Sequence, residues 1–295
     1  MTLEQLRIFV AVAERQHVTR AAESLRIAQS AASNAIAQLE ARHETRLFDR
    51  VGRRIELTEA GRVFLAEARA VLARADAAET TLREFGNLER GTLAVQASQT
   101  IASYWLPRHL VAFRRAHPGI EITLGIGNTT QVAEAIEEGA AEIGFVEGAV
   151  HNDHLEISRV ARDQMIVLVG PDHPWVGRGD LTPADLAKGE WVLRESGSGT
   201  RSVFETALAV RGVDPRSLDV RLELPSNEAV RGAVEAGLGA TALSASVAAS
   251  DLEAGLLHKV DFTLPEREYN ALRHRDRYRS RAGQAFMAML MPSAI

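Results

Sequence analysis

The 295-residue chain contains no cysteine. That removes disulfides, thiolate zinc sites, iron–sulfur clusters and cysteine nucleophiles or redox switches, and leaves histidine and carboxylate chemistry open. No uncharged apolar run reaches the roughly 18 residues that a membrane span needs, and the opening Met1-Thr2-Leu3-Glu4-Gln5-Leu6-Arg7 has no apolar core of signal-peptide length. The expectation is a cytoplasmic protein with no membrane partner. Charge of one sign is lacking too: the net charge is only -5, with 46% hydrophobic and 25% charged residues, the balance of a globular protein. At roughly 150 residues per domain, two domains are expected.

Charge is unevenly placed. Residues 1 to 90 carry a net +1, leaving -6 for the remainder. Residues 42 to 54 hold Arg42, Arg46, Arg50, Arg53 and Arg54 against Glu44 and Asp49, a local +3 suited to phosphate or to a solvated face.

Residues 2 to 15 place Leu3, Leu6, Phe9, Val10 and Ala13 at helical spacing, and Thr2 with Gln5 forms a capping-box pattern. A two-turn helix with Thr19 as N-cap follows. After Arg26-Ile27-Ala28, a third helix runs from about Gln29 to Arg42 with Ala32, Ile36 and Leu39 inward. Two short helices joined by a three-residue turn make a helix-turn-helix. The outer face of the third helix carries Gln29, Ser30, Ser33, Asn34 and Gln38. Amides can bond bidentately to adenine edges and hydroxyls can serve any base, so this face suits a major groove, whereas a plain solvent face would be richer in Glu, Lys and Arg. Thr19 is counted with the same DNA-contacting set. Residues 50 to 57 alternate around a glycine turn and read as a small hairpin, or wing, that would set Arg50, Arg53 and Arg54 on the DNA backbone.

The run Ala28-Gln29-Ser30-Ala31-Ala32-Ser33, then Leu39-Glu40, Arg46-Leu47-Phe48-Asp49-Arg50 and Leu57-Thr58-Glu59-Ala60-Gly61 resembles the winged helix-turn-helix of LysR-type transcriptional regulators. Ala28 departs from the Ser or Thr usual there, a loss of an N-cap worth about 1 kcal/mol. From Thr58 to Phe85, the positions Phe64, Ala68, Val71, Ala75, Ala78, Leu82 and Phe85 step by 4 and 3, a heptad seam on a helix ended by Gly86-Asn87. The seam could lie on its own domain; the resemblance implies a dimerising linker helix.

Beyond residue 90, strands at Leu93 to Ala97, Ile120 to Ile126 and Ile143 to Val146 alternate with helices, an order that implies a parallel, doubly wound sheet. A second series has strands at Gln164 to Val169, Trp191 to Leu193, Val220 to Leu224 and Gly239 to Leu243. A last strand near Glu268 to Arg273 leads into a terminal helix ending at Met291. Two halves joined by crossings near Val160 to Asp163 and Leu264 to Glu268 resemble the effector-binding domain of LysR-type regulators, itself like periplasmic solute-binding proteins. The expected fold is therefore α/β: a winged helix-turn-helix (1–58), a linker helix (59–90), and a two-subdomain effector domain (91–295). Subdomain I comprises 91–161 and 267–295, and subdomain II comprises 162–266.

Ligands of such sheets bind beyond the carboxyl ends of the strands, at helix amino termini. The loops there offer Ser98 and Thr100; Asn128 and Thr129; Ser196, Gly197, Ser198, Gly199, Thr200 and Arg201; and Ser226. These are mostly neutral donors, suited to a compact anion. Glu147 should face the same cleft. Its carboxylate would oppose a multiply charged anion, which argues for a ligand that carries a proton or for a Glu that does.

Other motifs fail. Residues 237 to 242 fit G-x-G-x-x-A but lead from a helix into a strand, the reverse of dinucleotide-binding order. Ser198 lacks the glycines of a nucleophile elbow. His151 and His154 with Asp153 could hold a metal, but the segment reads as a loop without a further spaced ligand. The expectation is a regulator rather than an enzyme, with no cofactor and no metal, the alternative being a cytoplasmic small-molecule-binding protein or enzyme with an appended helical domain.

The segments Val146-Glu147-Gly148-Ala149-Val150-His151, Gly197-Ser198-Gly199-Thr200-Arg201 and Arg273-His274-Arg275-Asp276-Arg277-Tyr278 further resemble the branch that activates sulfur-assimilation and sulfite-reduction genes. That resemblance puts sulfite first among small-anion effectors. The family resemblance implies double-stranded DNA, a homodimer or homotetramer and RNA polymerase as partners.

Overall fold

The computed structural model describes residues 1–51, 54–84 and 91–291. The chain forms two compact units, the first built on Met1–Gly86 and the second on the chain beyond it.

In the first unit, α1 (Leu3–Arg15) opens with the expected capping box: Gln5 N–H donates to Thr2 Oγ1 at 3.1 Å, and Thr2 N–H donates to Gln5 Oε1 at 3.0 Å. Helix α2 (Val18–Leu25) begins earlier than expected, because His17 rather than Thr19 is the N-cap, its Nδ1 accepting from Arg20 N–H. Thr19 lies exposed in the first turn. Arg26, left-handed at φ 55°, closes α2 and redirects the chain into α3 (Gln29–His43). Ala28 makes no side-chain cap. Strands β1 (Phe48–Val51) and β2 (Arg54–Leu57) form the antiparallel hairpin, and α4 (Glu59–Glu84) follows. Ala32, Ile36 and Leu39 join Leu6, Phe9, Val12, Ala21 and Ala22 in the core, where the Phe9 ring lies 5.4 Å from Phe48 and 4.8 Å from Phe64.

The 26 residues of α4 span about 39 Å. Its heptad seam divides. Ala68 is buried and Phe64 half-buried in the core of their own unit, so the amino-terminal part of the seam covers its own domain. Val71 and Leu82 are 41% and 74% exposed, as is Val63 at 66%. Phe85 and the Gly86-Asn87 stop lie outside the described residues. Gly61 is required by close approach, since a Cβ there would lie 2.1 Å from the Leu47 carbonyl oxygen.

The second unit is one eight-stranded sheet in the order β4-β3-β5-β10-β6-β9-β7-β8. Its first half contains β3 (Gly91–Ser98), a π-turn (Ile101–Trp105), α5 (Leu106–Ala116), β4 (Ile120–Gly127), α6 (Thr129–Glu138) and β5 (Ile143–Glu147). Then β6 (Leu155–Val169) leads to the second half: α7 (Pro183–Ala187), β7 (Glu190–Arg194), α8 (Gly199–Ala209), β8 (Asp219–Leu224), α9 (Asn227–Glu235), β9 (Ala240–Ser244) and α10 (Ala245–Glu253). Strand β10 (His258–His274) returns to the first half, where α11 (Arg281–Leu290) ends.

The sheet is mixed rather than parallel throughout. Strand β3 pairs in parallel with β4 and β5, and β7 with β8 and β9, but β10 runs antiparallel to β5 and β6, and β6 antiparallel to β9. The short strands expected at 164–169 and 268–273 are parts of β6 and β10, two long strands that run through both halves. The expected crossings lie inside them, with Asp163 opposite Arg267. Each half keeps its own core, around Trp105, Phe113, Phe145 and Phe286 in one and Trp191, Leu193, Phe204 and Leu208 in the other. Among the described residues, no helix is long and apolar enough to cross a membrane.

Candidate functional site

Two surfaces carry the sequence-identified residues. On α3, Gln29, Ser30, Asn34 and Gln38 are exposed and Ser33 is half-buried, away from the inward Ala32, Ile36 and Leu39. Gln29 Nε2 donates to Ser33 Oγ at 2.9 Å, which orients the amide at the start of the helix. Glu40, on the same helix, accepts from the N–H groups of Leu47 (2.7 Å) and Phe48 (3.2 Å) and so ties the hairpin to α3. Its type and spacing gave no sign of that role. Arg50 and Arg54 lie on the two hairpin strands. Their side chains, and the whole of Arg53, fall outside the described residues.

The second surface lies in the α/β unit, where strand ends and helix starts from both halves converge on Glu147. This side chain is 2% exposed at the end of β5. One carboxylate oxygen accepts from Ser98 Oγ at the end of β3; the other accepts from Thr200 Oγ1, at 3.2 Å, in the first turn of α8. Thr129 Oγ1 donates to the Glu147 carbonyl at 2.8 Å. A Cβ on Gly199 would lie 1.9 Å from that carbonyl oxygen, so only glycine lets α8 start against β5.

Behind Glu147 sits Arg267, 3% exposed, with one guanidinium nitrogen 3.8 Å from the Glu147 carboxylate and 3.0 Å from Thr200 Oγ1. Its Nε donates to Asp163 at 2.8 Å, and a second nitrogen lies 2.7 Å from the same carboxylate oxygen. Burial alone would lower the Arg267 pKa, but the carboxylates of Glu147 and Asp163 more than offset it and raise it. Tyr269 lies beside the guanidinium, 5.8 Å from ring centre to Cζ. Burial raises the Tyr269 pKa far above the ordinary range against the opposing pull of Arg267. Two carboxyl groups thus share one guanidinium in this cluster.

A second bridge joins the halves. Asn227 Nδ2 donates to Thr100 Oγ1 at 3.0 Å, while Asn227 Oδ1 accepts from buried Arg194 at 2.7 Å. Gln99 accepts from Asn227 N–H at 2.8 Å and donates to Glu228 at 2.6 Å. Arg194 also pairs with Glu195, which accepts from Asn128 Nδ2 at 3.3 Å. Burial, then Glu228, raises the Tyr104 pKa on the same rim.

Ser98, Thr100, Thr129, Glu147, Ser198 and Thr200 are thus all buried in this cleft. The Thr100 hydroxyl accepts but its proton has no acceptor among the described residues, and Ser198 Oγ makes no bond at the N-cap of α8. Gly197 accepts from Thr130 N–H, and Ser196 is exposed. Arg201 is not the cleft's cation. Glu205 and Glu223 hold its guanidinium, which also donates to the Arg194 carbonyl. Ser226 is engaged as the α9 N-cap, accepting from Ala229 N–H. The buried cations are Arg267 and Arg194, neither marked by any local motif. Among the described residues, no group of three His, Asp or Glu could hold a metal ion.

Comparison with known proteins assigns a family to each part of the chain. The family described as bacterial regulatory helix-turn-helix protein, lysR family, matches residues 3–62, and that described as LysR substrate binding domain matches residues 86–294. The chain is 34% identical over 297 residues to the uncharacterized HTH-type transcriptional regulator YeiE of Escherichia coli K12, covering 100% of this chain and 99% of that protein. It is 33% identical over 296 residues to a probable RuBisCO transcriptional regulator of Nostoc sp., covering 99% and 88%. Full-length CbnR complexed with its target DNA superposes with a TM-score of 0.71 at 22% identity over 98% of this chain and 99% of that one, a likeness of fold.

Proposed function

The chain belongs to the LysR family of DNA-binding transcriptional regulators with a small-molecule-binding domain, and on that premise we propose that α3 reads operator bases while the cleft around Glu147 senses a compact anion of low charge. The observation that carries the second part is the pair of buried hydroxyls, Thr100 and Ser198, whose protons the protein does not use. Ser198 also stands at the amino terminus of α8, where first-turn N–H groups lack intrahelical acceptors and favour an anion. Glu147 sets the limit on charge: Ser98, Thr200 and Arg267 already serve its carboxylate. An entering anion meets that negative group directly, so singly charged forms are favoured over dianions.

Sulfite in its singly charged form suits this limit and ranks first through the sulfur-branch resemblance; sulfate, phosphate and short carboxylates are its rivals. The Nostoc relative is a probable regulator of RuBisCO, so the target genes do not follow from the cleft. Exposed Val71 and Leu82 on α4 support a two-fold dimer, for which inverted half-sites are the matching operator. Pairing of dimers into tetramers and contact with RNA polymerase extend the same reading.

Calorimetry with sulfite, sulfate, phosphate and acetate tests it, on wild type and on Thr100→Ala with Ser198→Ala. Sulfite should bind wild type more tightly than sulfate, and the double variant should lose most of that affinity. Binding of none of the four, or equal binding by the variant, refutes the assignment. A shift assay with DNA retained from the protein's own genome tests the first part.

A further inference from the structure

A second pocket, of about 620 Å³, opens on the flank of α8 away from the cleft's donors, none of which lines it. Its walls are Val203 and Ala207 of α8 and Val210 just past that helix, with Ala149 beyond β5 and Pro265 of β10. Val210 is 82% exposed, the most exposed large apolar side chain of the described residues. The volume lies within the range of small-molecule sites, which pair an apolar lining with a few placed polar groups.

Of the polar lining residues Ser202, Thr206 and Arg211, Arg211 alone carries a charge. Its guanidinium donates to the carbonyls of Ala207 (3.0 Å) and Thr263 (2.8 Å) and rests 5.3 Å from the Phe262 ring centre. Among the described residues no carboxylate pairs with it, whereas Arg194 and Arg201, at the other end of α8, are neutralised by acids. With two bonds to carbonyls, the five-donor guanidinium retains N–H groups for a partner. A charged fork held among apolar walls suits an anionic head on an apolar body, and a lone carboxylate is the smallest such head that a single guanidinium can neutralise.

We propose that this pocket is a second ligand site, for a small carboxylic acid with an apolar chain or ring. The acid would lay its body between Val203, Ala207, Val210 and Pro265 and its carboxylate on Arg211. It would touch Ala149 of the first half and α8 of the second, and so bridge the halves two residues from Glu147 on one side and three from Thr200 on the other. The site does not depend on what the cleft binds.

Octanoate titrated into the full-length protein by calorimetry is the test, with octanol as the uncharged control. Octanoate should saturate one site per chain, more tightly than octanol, and lose about fourfold in affinity per methylene removed. Thr206→Trp, at an exposed lining position, puts an indole between the apolar walls and should weaken binding of both. Arg211→Gln should weaken octanoate about tenfold, the scale of one charge-assisted bond, and leave octanol unchanged, while Arg211→Lys should restore part of the loss. Thr100→Ala with Ser198→Ala should leave octanoate binding intact. The proposal fails if octanoate shows no saturable binding at about 1 mM, if Thr206→Trp binds it normally, or if the cleft variant abolishes it. Sedimentation in which Thr206→Trp breaks an oligomer while octanoate binds nowhere would also overturn it, by assigning the pocket to a second copy of the chain.

Discussion

Replacing Glu147 by glutamine removes one negative charge from the cleft and almost nothing else. The amide keeps the shape, its oxygen can still accept from a hydroxyl, and its NH₂ can donate to the other, because Ser98 and Thr200 are both able to reverse their roles. Arg267 loses a partner at 3.8 Å and retains Asp163 and Thr200. The lost attraction, about 4 kcal/mol at an effective dielectric near 20, is set against the several kcal/mol that desolvating the carboxylate costs. Because Asp163 still neutralises Arg267, folding stability should fall by less than the about 3–5 kcal/mol that orphaning a buried charge costs. For an anion bound at Thr100 and Ser198 the balance differs, because the ligand's own desolvation is the same in both variants. At a separation of ~6 Å, one unit charge is opposed by about 2–3 kcal/mol, a factor of roughly thirty to a hundred and fifty in affinity. The repulsion scales with ligand charge, so a dianion gains about the square of that factor. Calorimetry of sulfite, acetate and sulfate on Glu147→Gln at fixed pH should show all three tighter, with sulfate gaining most and the preference for low charge lost. Unchanged affinities, or equal gains for sulfate and acetate, would refute the claim that Glu147 sets the charge limit.

Replacing Gln29 or Asn34 by Ala should weaken operator binding by about 1–3 kcal/mol per lost base contact and random DNA hardly at all; a shift assay in which the ratio is unchanged would remove this face from base reading. If α4 pairs two chains as proposed, Val71→Glu with Leu82→Glu should give folded monomers in sedimentation, whereas Ala68→Glu, in the core of the first unit, should unfold that unit. Gly199→Ala should cost about 3 kcal/mol or more in urea unfolding, since its Cβ cannot coexist with the Glu147 carbonyl 1.9 Å away; wild-type stability would mean that α8 does not abut β5. Burial lowers the His173 pKa despite the opposing effect of Glu190, so the folded state favours the neutral ring. The stability this group contributes is present above its unfolded pKa and lost as pH falls through the folded one. Melting curves between about pH 8 and pH 5 should therefore decline less steeply for His173→Asn.

What was legible in the sequence was what short-range periodicity and capping decide. Thr2 with Gln5 fixed the start of α1, and the spacing of Ala32, Ile36 and Leu39 fixed both the buried side of α3 and, by exclusion, its polar face. Periodicity does not say what covers an apolar stripe. Hence Phe64 and Ala68, in register with Val71, belong to their own core while Val71 does not. The long strands β6 and β10 were half-hidden because their middle parts carry Arg159, Arg162, Glu266 and Glu268 in exposed ion pairs, which reads as loop. That the loops of Ser98, Thr129 and Thr200 come together followed from their place beyond the strand ends. Which cation faced them did not, because Arg267 and Asp163 stand 104 residues apart and meet only through strand register.

The position of that ion pair links the cleft to the crossing between the halves. Asp163 on β6 and Arg267 on β10 are cross-strand partners at the place where the chain passes from one half to the other. Arg267 reaches forward to Thr200 on α8 and to Glu147 on β5, so one guanidinium on a crossing strand touches one element of each half. A ligand that engaged only Thr100 and Ser198 would leave this set of bonds intact and add to it. One that drew Thr200 away would take a donor from Glu147 and an acceptor from Arg267 together, and would leave buried charge under-bonded, at a cost of about 1–3 kcal/mol. The arrangement therefore favours occupants that accept from the Thr100 and Ser198 hydroxyls. Any stronger competitor must loosen the contact between α8 and β5, one of the two bridges between the halves, the other being Asn227 with Thr100.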